Sequence, residues 1–191
     1  MHRQADKNMR IYLDLEYCYP SMTRQSGRPN ENDLRQVIQI AAICYDHGTG
    51  KELKSFDTLV SPPFTKVLPE FFVELTGISQ TDVSEQSILF PKALDQFIEF
   101  CDGIDIYTFD KDWLVLKQNC SYYKIDYPFE SSPFVRIKDK LPKWGLPENE
   151  YSSGTLYKAA GLNMTGHVHN ALHDVRSMAA ATHYFERTRI N

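Results

Sequence analysis

The chain has 191 residues, 42% of them hydrophobic and 24% charged, with a net charge of −4. That is enough material to bury the core of one ordinary domain. No apolar run reaches the ~18 residues of a membrane-spanning helix, and the acidic balance excludes a surface built to coat polyanions in general. A phosphate can still be held through metals and a local basic rim. The start, MHRQADKNMR, lacks the apolar core of a secretion signal. Cys18, Cys44, Cys101 and Cys120 form no CxxC pair, so they are expected to be reduced thiols of a cytoplasmic protein.

In chain order, residues 1–9 read as a polar leader and 10–16 (RIYLDLE) as a strand. Alternate strand side chains share a face, so Asp14 and Glu16 point one way while Leu13 and Leu15 point into packing. Two acids on an apolar strand repel each other and lose hydration, which is costly unless a cation sits between them. Residues 17–35, with Gly27 and Pro29, read as a long polar loop that leaves from the two acids and overhangs whatever they bind. Residues 36–46 and 53–60, joined by turn chemistry at His47–Gly50, form a hairpin. A helix follows at 69–76, ended by Gly77, and another at 91–101 with Pro91 in its first turn. A strand at 104–108, a helix at 110–122, a strand at 133–138 and helices at 153–161 and 170–187 complete the chain. Three antiparallel strands followed by alternating helix and strand define a mixed sheet with helices packed on its faces, in one domain over 1–191.

A matching third acid lies in FDKDWL. Asp110 and Asp112 both head the 110–122 helix, where anions are favoured, and both lead an apolar stripe. Position along the chain favours Asp110, nearer the strand's carboxyl end, where open sheets place their sites. A fourth acid, Asp174, heads the stripe Met178, Ala181 and Phe185. His169 precedes it by five residues, roughly 140° around a helix. It reaches the same side only from the preceding loop, which Gly166 makes feasible. His167 and His173 have no such fit and are read as surface or supporting residues.

Taken together, LDLE, FDKDWL and HNALHD resemble the motifs of the DEDDh group of 3′–5′ exonucleases in the ribonuclease H-like superfamily. HNALHD is similar to that group's H-x-A-L-x-D. FDKDWL is similar to its aromatic-Asp motif, which places the third acid at Asp110. LPEFFVELTGISQTDV resembles the group's helix and Thr-Gly-Ile turn, most like the branch that trims structured RNA 3′ ends. The chain departs from the pattern at Tyr17-Cys18-Tyr19, where small residues are usual, at Gln36 and Gln39 in the second strand, where acids are usual, and at Tyr107-Thr108. The resemblance implies an α/β, ribonuclease H-like mixed five-stranded sheet, three strands antiparallel and two parallel, with helices on both faces. It implies a metal-dependent 3′–5′ exonuclease acting on the 3′ ends of RNA or single-stranded DNA and releasing nucleoside 5′-monophosphates. Two Mg²⁺ or Mn²⁺ would be held by Asp14, Glu16, Asp110 and Asp174, with His169 as general base. Asn170 stands where the sister group places a catalytic Tyr, which fits the His version. Tyr17 and the turn Thr76, Gly77 and Ile78 would meet the terminal nucleotide, although Gly77 is equally a helix C-cap. Two other readings keep the fold: an idle nucleic-acid-binding or interaction module, and a nuclease restricted to short oligonucleotides or dinucleotides.

Overall fold

Three long strands open the fold: β1 (Met9–Cys18), β2 (Gln36–Asp46) and β3 (Lys51–Ser61). They belong to a computed structural model that describes residues 8–25, 33–130 and 134–188. β2 is buried from Gln36 to Cys44, as befits a near-continuous apolar run covered on both faces. It pairs antiparallel with β1 on one side and β3 on the other. The β2–β3 turn is closed by Asp46, whose carboxylate accepts from the Gly48 N–H at 2.8 Å and the Thr49 hydroxyl at 2.7 Å.

The chain continues through α1 (Glu70–Thr76), α2 (Gln80–Gln86), β4 (Ile88–Leu89), α3 (Phe90–Cys101), β5 (Ile106–Thr108), α4 (Asp112–Tyr122) and β6 (Phe134–Arg136). A tight turn at Ser153–Thr155 runs into α5 (Leu156–Ala159), and α6 (Ala171–Thr188) closes the fold. The sheet order is β4-β3-β2-β1-β5-β6, with β1/β5, β5/β6 and β3/β4 parallel.

Among the described residues the sheet therefore has six strands rather than the five expected. β4 is two residues long and carries no readable periodicity. α2 was also not anticipated; its signal is a capping box, in which the Asp82 N–H donates to the Ser79 hydroxyl and the Ser79 N–H to the Asp82 carboxylate. Of the expected 17–35 loop, Tyr17 and Cys18 extend β1, and 26–32 lie outside the described residues, as do 1–7 of the leader.

Alternation along β1 divides the core. Ile11, Leu13 and Leu15 pack with Phe90, Leu94 and Phe97 of α3 and Val115 and Leu116 of α4. Tyr12 faces the other way, onto Val175, Met178 and Phe185 of α6, and Asp14 and Glu16 follow it by parity. The register of β1 with β2 slips after Glu16, leaving Ile38 without a partner. Such bulges re-aim side chains next to sites, and here the slip falls at Tyr17.

Two buried amides fasten helices to this sheet. Asn119 of α4 accepts from the Val37 N–H at 3.2 Å and donates to the Arg35 carbonyl at 2.9 Å. Gln39 accepts from the Ala171 N–H at 3.2 Å and donates to Asp57 at 2.8 Å. Gln39 thus occupies one of the positions where the resemblance expects an acid, and it tethers the first turn of α6. Gln39→Leu strands a buried N–H and is expected to cost ~1–3 kcal/mol of stability, measured by urea unfolding, with a loosened α6 start that weakens metal binding in proportion.

Candidate active site

Asp14 and Glu16 are 7% and 8% exposed, and Asp174 is 1% exposed. Glu16, His169 and Asp174 each present a ligating atom, and these atoms all lie within 4.8 Å of one another. The three residues line one cavity of about 380 Å³ together with Asp14, Tyr17 and Leu75. Loss of hydration lifts the Asp14 and Glu16 carboxyls well above the ordinary range, and repulsion from Asp174 and Asp112 lifts them further. Burial likewise raises Asp174, to about 6, against the opposing hydrogen bond from Ser153.

His169 sits in the loop ahead of α6 with φ 71, a left-handed conformation that His adopts more readily than most residues. Its backbone N–H donates to the Asp174 carboxylate at 3.3 Å. The loop position that five-residue spacing required is therefore the one observed. Burial, with the nearby His167, lowers the His169 pKa, so the ring is neutral and able to accept a proton near neutral pH. His167 is exposed and bonds the Leu75 carbonyl at 2.9 Å. His173 is buried, with its Nε2 3.3 Å from the Gly154 carbonyl.

The two acids of FDKDWL meet different surroundings, and it is Asp112, not the expected Asp110, whose charge bears on Asp14 and Glu16. Asp110 turns away from the cluster: Arg136 Nε donates to its Oδ1 at 2.8 Å, Lys138 Nζ is 3.6 Å from its Oδ2, and its side chain is 45% exposed. Asp112 is the acid whose charge is felt by Asp14, Glu16 and Tyr17. Burial, then repulsion from Asp110, raises it to about 7. The reason is local. The Thr108 hydroxyl donates to the Asp110 carbonyl at 2.7 Å, holding Phe109 and Asp110 in a turn, and α4 begins only at Asp112. Side chains on a helix lean toward its N-terminus, which carries Asp112 back toward β1.

Ser153 and Gly154 escaped the sequence reading. The Ser153 hydroxyl donates to Asp174 at 3.0 Å. A Cβ on Gly154 would lie 2.3 Å from Asp174 Oδ1 and 2.8 Å from Oδ2. The run Ser152-Ser153-Gly154 just before a helix was the available signal. Gly154→Ala is expected to push the Asp174 carboxylate aside and lower Mn²⁺ affinity at least ~10-fold, the cost seen when supporting contacts of a metal ligand are lost, as read by calorimetric titration.

Tyr17 and Leu75 line the acid cavity, whereas Thr76, Gly77 and Ile78 line a neighbouring cavity of about 370 Å³ with Gln39, Asp57 and Asn170. Gly77 caps α1 at φ 75, and Thr76 and Ile78 are buried.

A six-stranded mixed sheet, carrying paired carboxylates on β1 that face a His and an Asp at the head of α6, defines a ribonuclease H-like protein of the exonuclease type. The chain belongs to the Exonuclease family, whose profile matches residues 13–182. It is 23% identical over 168 residues to 3′-5′ exoribonuclease 1 of Rattus norvegicus, covering 82% of this chain and 48% of that protein. It thus spans about half the length of that relative. The fold is shared with the nuclease domain of 3′hExo, a DEDDh family member bound to rAMP (TM-score 0.80, 20% identity, 95% of this chain and 93% of that one). It is also shared with a 3′-exonuclease in a structure of 3′-end-specific recognition of the histone mRNA stem-loop (TM-score 0.82, 19% identity, 95% and 83% of the chains).

A divalent cation fits this donor set. Hard carboxylate oxygens and one imidazole converge within bonding reach, and the acids crowd one another in a way that a cation relieves.

Proposed function

We propose that this chain is a metal-dependent 3′–5′ exonuclease that removes nucleoside 5′-monophosphates from the 3′ ends of RNA or single-stranded DNA. The convergence of Glu16, His169 and Asp174 within 4.8 Å, beside buried Asp14, carries this reading. Asp14, Glu16, Asp112 and Asp174 would hold two Mg²⁺ or Mn²⁺, which would supply charge neutralisation at the phosphate and favour ionisation of the attacking water. The neutral His169 ring accepts the proton of that water. Its oxygen bonds to phosphorus as the P–O3′ bond breaks, and the departing O3′ takes up a proton from solvent, to which His169 later releases its own. The terminal nucleoside rests against Tyr17 and Leu75, with Thr76, Gly77 and Ile78 forming the turn behind them. Family membership supports the reaction class, and a relative named an exoribonuclease supports RNA as a substrate.

The test is degradation of matched 5′-labelled RNA and DNA oligomers with Mn²⁺ or with chelator. A ladder growing from the 3′ end, with 5′-monophosphates as products, is expected only with metal. Asp14→Ala should abolish it while the circular dichroism spectrum is retained. His169→Ala should lower kcat by ~10²–10⁴ and remove the acidic limb of the pH profile. Tight oligomer binding with no hydrolysis by the wild-type chain would instead support the idle-module reading.

A further inference from the structure

We propose that a second cavity, on the far side of Tyr17 from His169, binds the internucleotide phosphate one nucleotide 5′ of the bond being cut, through Lys138, Lys111 and Arg35. The consequence, which rests on the exonuclease reading above, is a preference for strands that carry such a phosphate over bare dinucleoside monophosphates.

This cavity measures about 450 Å³. It shares Tyr17 with the acid cavity, and the adjacent residues Ser152 and Ser153 line one cavity each. The acid cluster therefore lies at the junction, with His169 lining one side and Asp112 the other. In-line displacement places the leaving oxygen opposite the attacking water. With the water at His169, O3′ and the nucleotide that carries it leave toward Asp112, into the second cavity.

The charges there suit a phosphate. Arg35, Lys111 and Lys138 line it, against Asp110, Asp112 and Glu148. Asp110 is paired with Arg136 at 2.8 Å, which it shares with Asp139, and with Lys138 at 3.6 Å; Asp112 belongs to the acid cluster, so Glu148 is the lining acid that stands outside these pairs. Two of the three cations are already held in place. Lys138 is only 11% exposed, with its ammonium 3.6 Å from Asp110, and the Arg35 Nε donates to Gln118 at 3.2 Å. Ordering a side chain before binding lowers the entropic cost of the contact. A larger cavity of about 770 Å³, with Phe64, Lys66 and Arg24, adjoins the acid cavity through Met22 and Phe71. It meets that cavity away from Asp112, and Arg24 is tied to Glu74 at 2.6 Å.

The experiment compares ApA, pApA and ApApA with Mn²⁺. ApA lacks the extra phosphate and the other two carry it. The expected result is a kcat/KM about tenfold or more higher for pApA and ApApA than for ApA, the worth of a charge-assisted contact. Lys138→Gln and the more exposed Lys111→Gln should shrink that gap, lowering kcat/KM on pApA and ApApA by a larger factor than on ApA. A second readout needs no turnover: anisotropy of a 5′-fluorescein A₁₀ oligomer in chelator across a salt series. There each variant should lower the slope of log K against log salt by about 0.7, one phosphate contact on a single strand. Equal kcat/KM for the three substrates, or a gap erased by Lys66→Gln rather than Lys138→Gln, overturns the inference and leaves the exonuclease reading intact. Failure to cleave any of the three, or any longer oligomer, overturns the exonuclease reading itself.

Discussion

Asp112→Asn is expected to lower kcat/KM on a 3′-terminal phosphodiester by ~10²–10³, the scale of losing one well-placed electrostatic stabiliser, while Asp110→Asn stays within about tenfold of wild type. The two acids are two residues apart, yet their surroundings are opposite. Asp110 is nearly half exposed and occupied by Arg136 and Lys138, so neutralising it alters an ion pair at the rim. Surface pairs of this kind contribute little, about 0–1 kcal/mol. Asp112 is raised to about 7 by burial and by Asp110, and its charge bears on Asp14 and Glu16. Its Asn variant keeps the shape and removes the charge that a cation needs. Steady-state rates on an end-labelled oligomer, with Mn²⁺ titrated over each variant, separate the two cases. Equal losses at both positions, or a larger loss at Asp110, would return the third acid to the position that chain order favours.

The second large effect is on stability. Folding raises the pKa of Asp174 to about 6 and of Asp112 to about 7, and carries Asp14 and Glu16 well upward, first through lost hydration. A carboxyl whose folded pKa exceeds its unfolded value, near 4, binds more protons folded than unfolded between the two. Its contribution to stability is complete below pH ~4 and is lost as the pH rises through the folded pKa. The metal-free protein should therefore lose thermal stability steadily between about pH 4.5 and 7.5. Divalent ions bind the deprotonated carboxylates and release protons, so they should restore most of the loss, and more of it at higher pH. At ~100 times its dissociation constant a ligand adds ~2.7 kcal/mol, or about 5–11 °C for a chain of this size. Scanning fluorimetry with Mn²⁺ against chelator should show that gap at pH 7.5 and less than ~2 °C of it at pH 5. Asp14→Asn should melt higher than wild type in chelator at pH 7.5, because it removes one of the crowded charges, and should gain little from Mn²⁺. A chelator melting curve with no pH dependence over this window would mean that the carboxylates are not crowded together.

Local pattern carried much of the architecture. β2 runs over the residues that its apolar, β-branched sequence marks out, and the period-2 rule correctly set Asp14 and Glu16 against the Leu13 and Leu15 face. Helical geometry required His169 to lie in a loop, and it does. These follow from short-range sterics and from the burial demanded by one strand or one helix, which a linear sequence states directly. Tertiary structure decided the rest. Asp110 and Asp112 both head an apolar stripe, so only the turn held by Thr108, and Arg136 on the neighbouring strand, set the charge of Asp110 against a guanidinium and that of Asp112 against Asp14 and Glu16. Gly154 and Ser153 act on Asp174 across 20 and 21 residues of chain, a relation that no local periodicity encodes. Gln39 departs from the resemblance, and its role appears only where β2 meets the start of α6. The sequence by itself determined which side chains could bear a charge on a buried face. The packing of separate elements determined which of those charges meet, because desolvation and Coulomb repulsion depend on distance in space and not on distance along the chain.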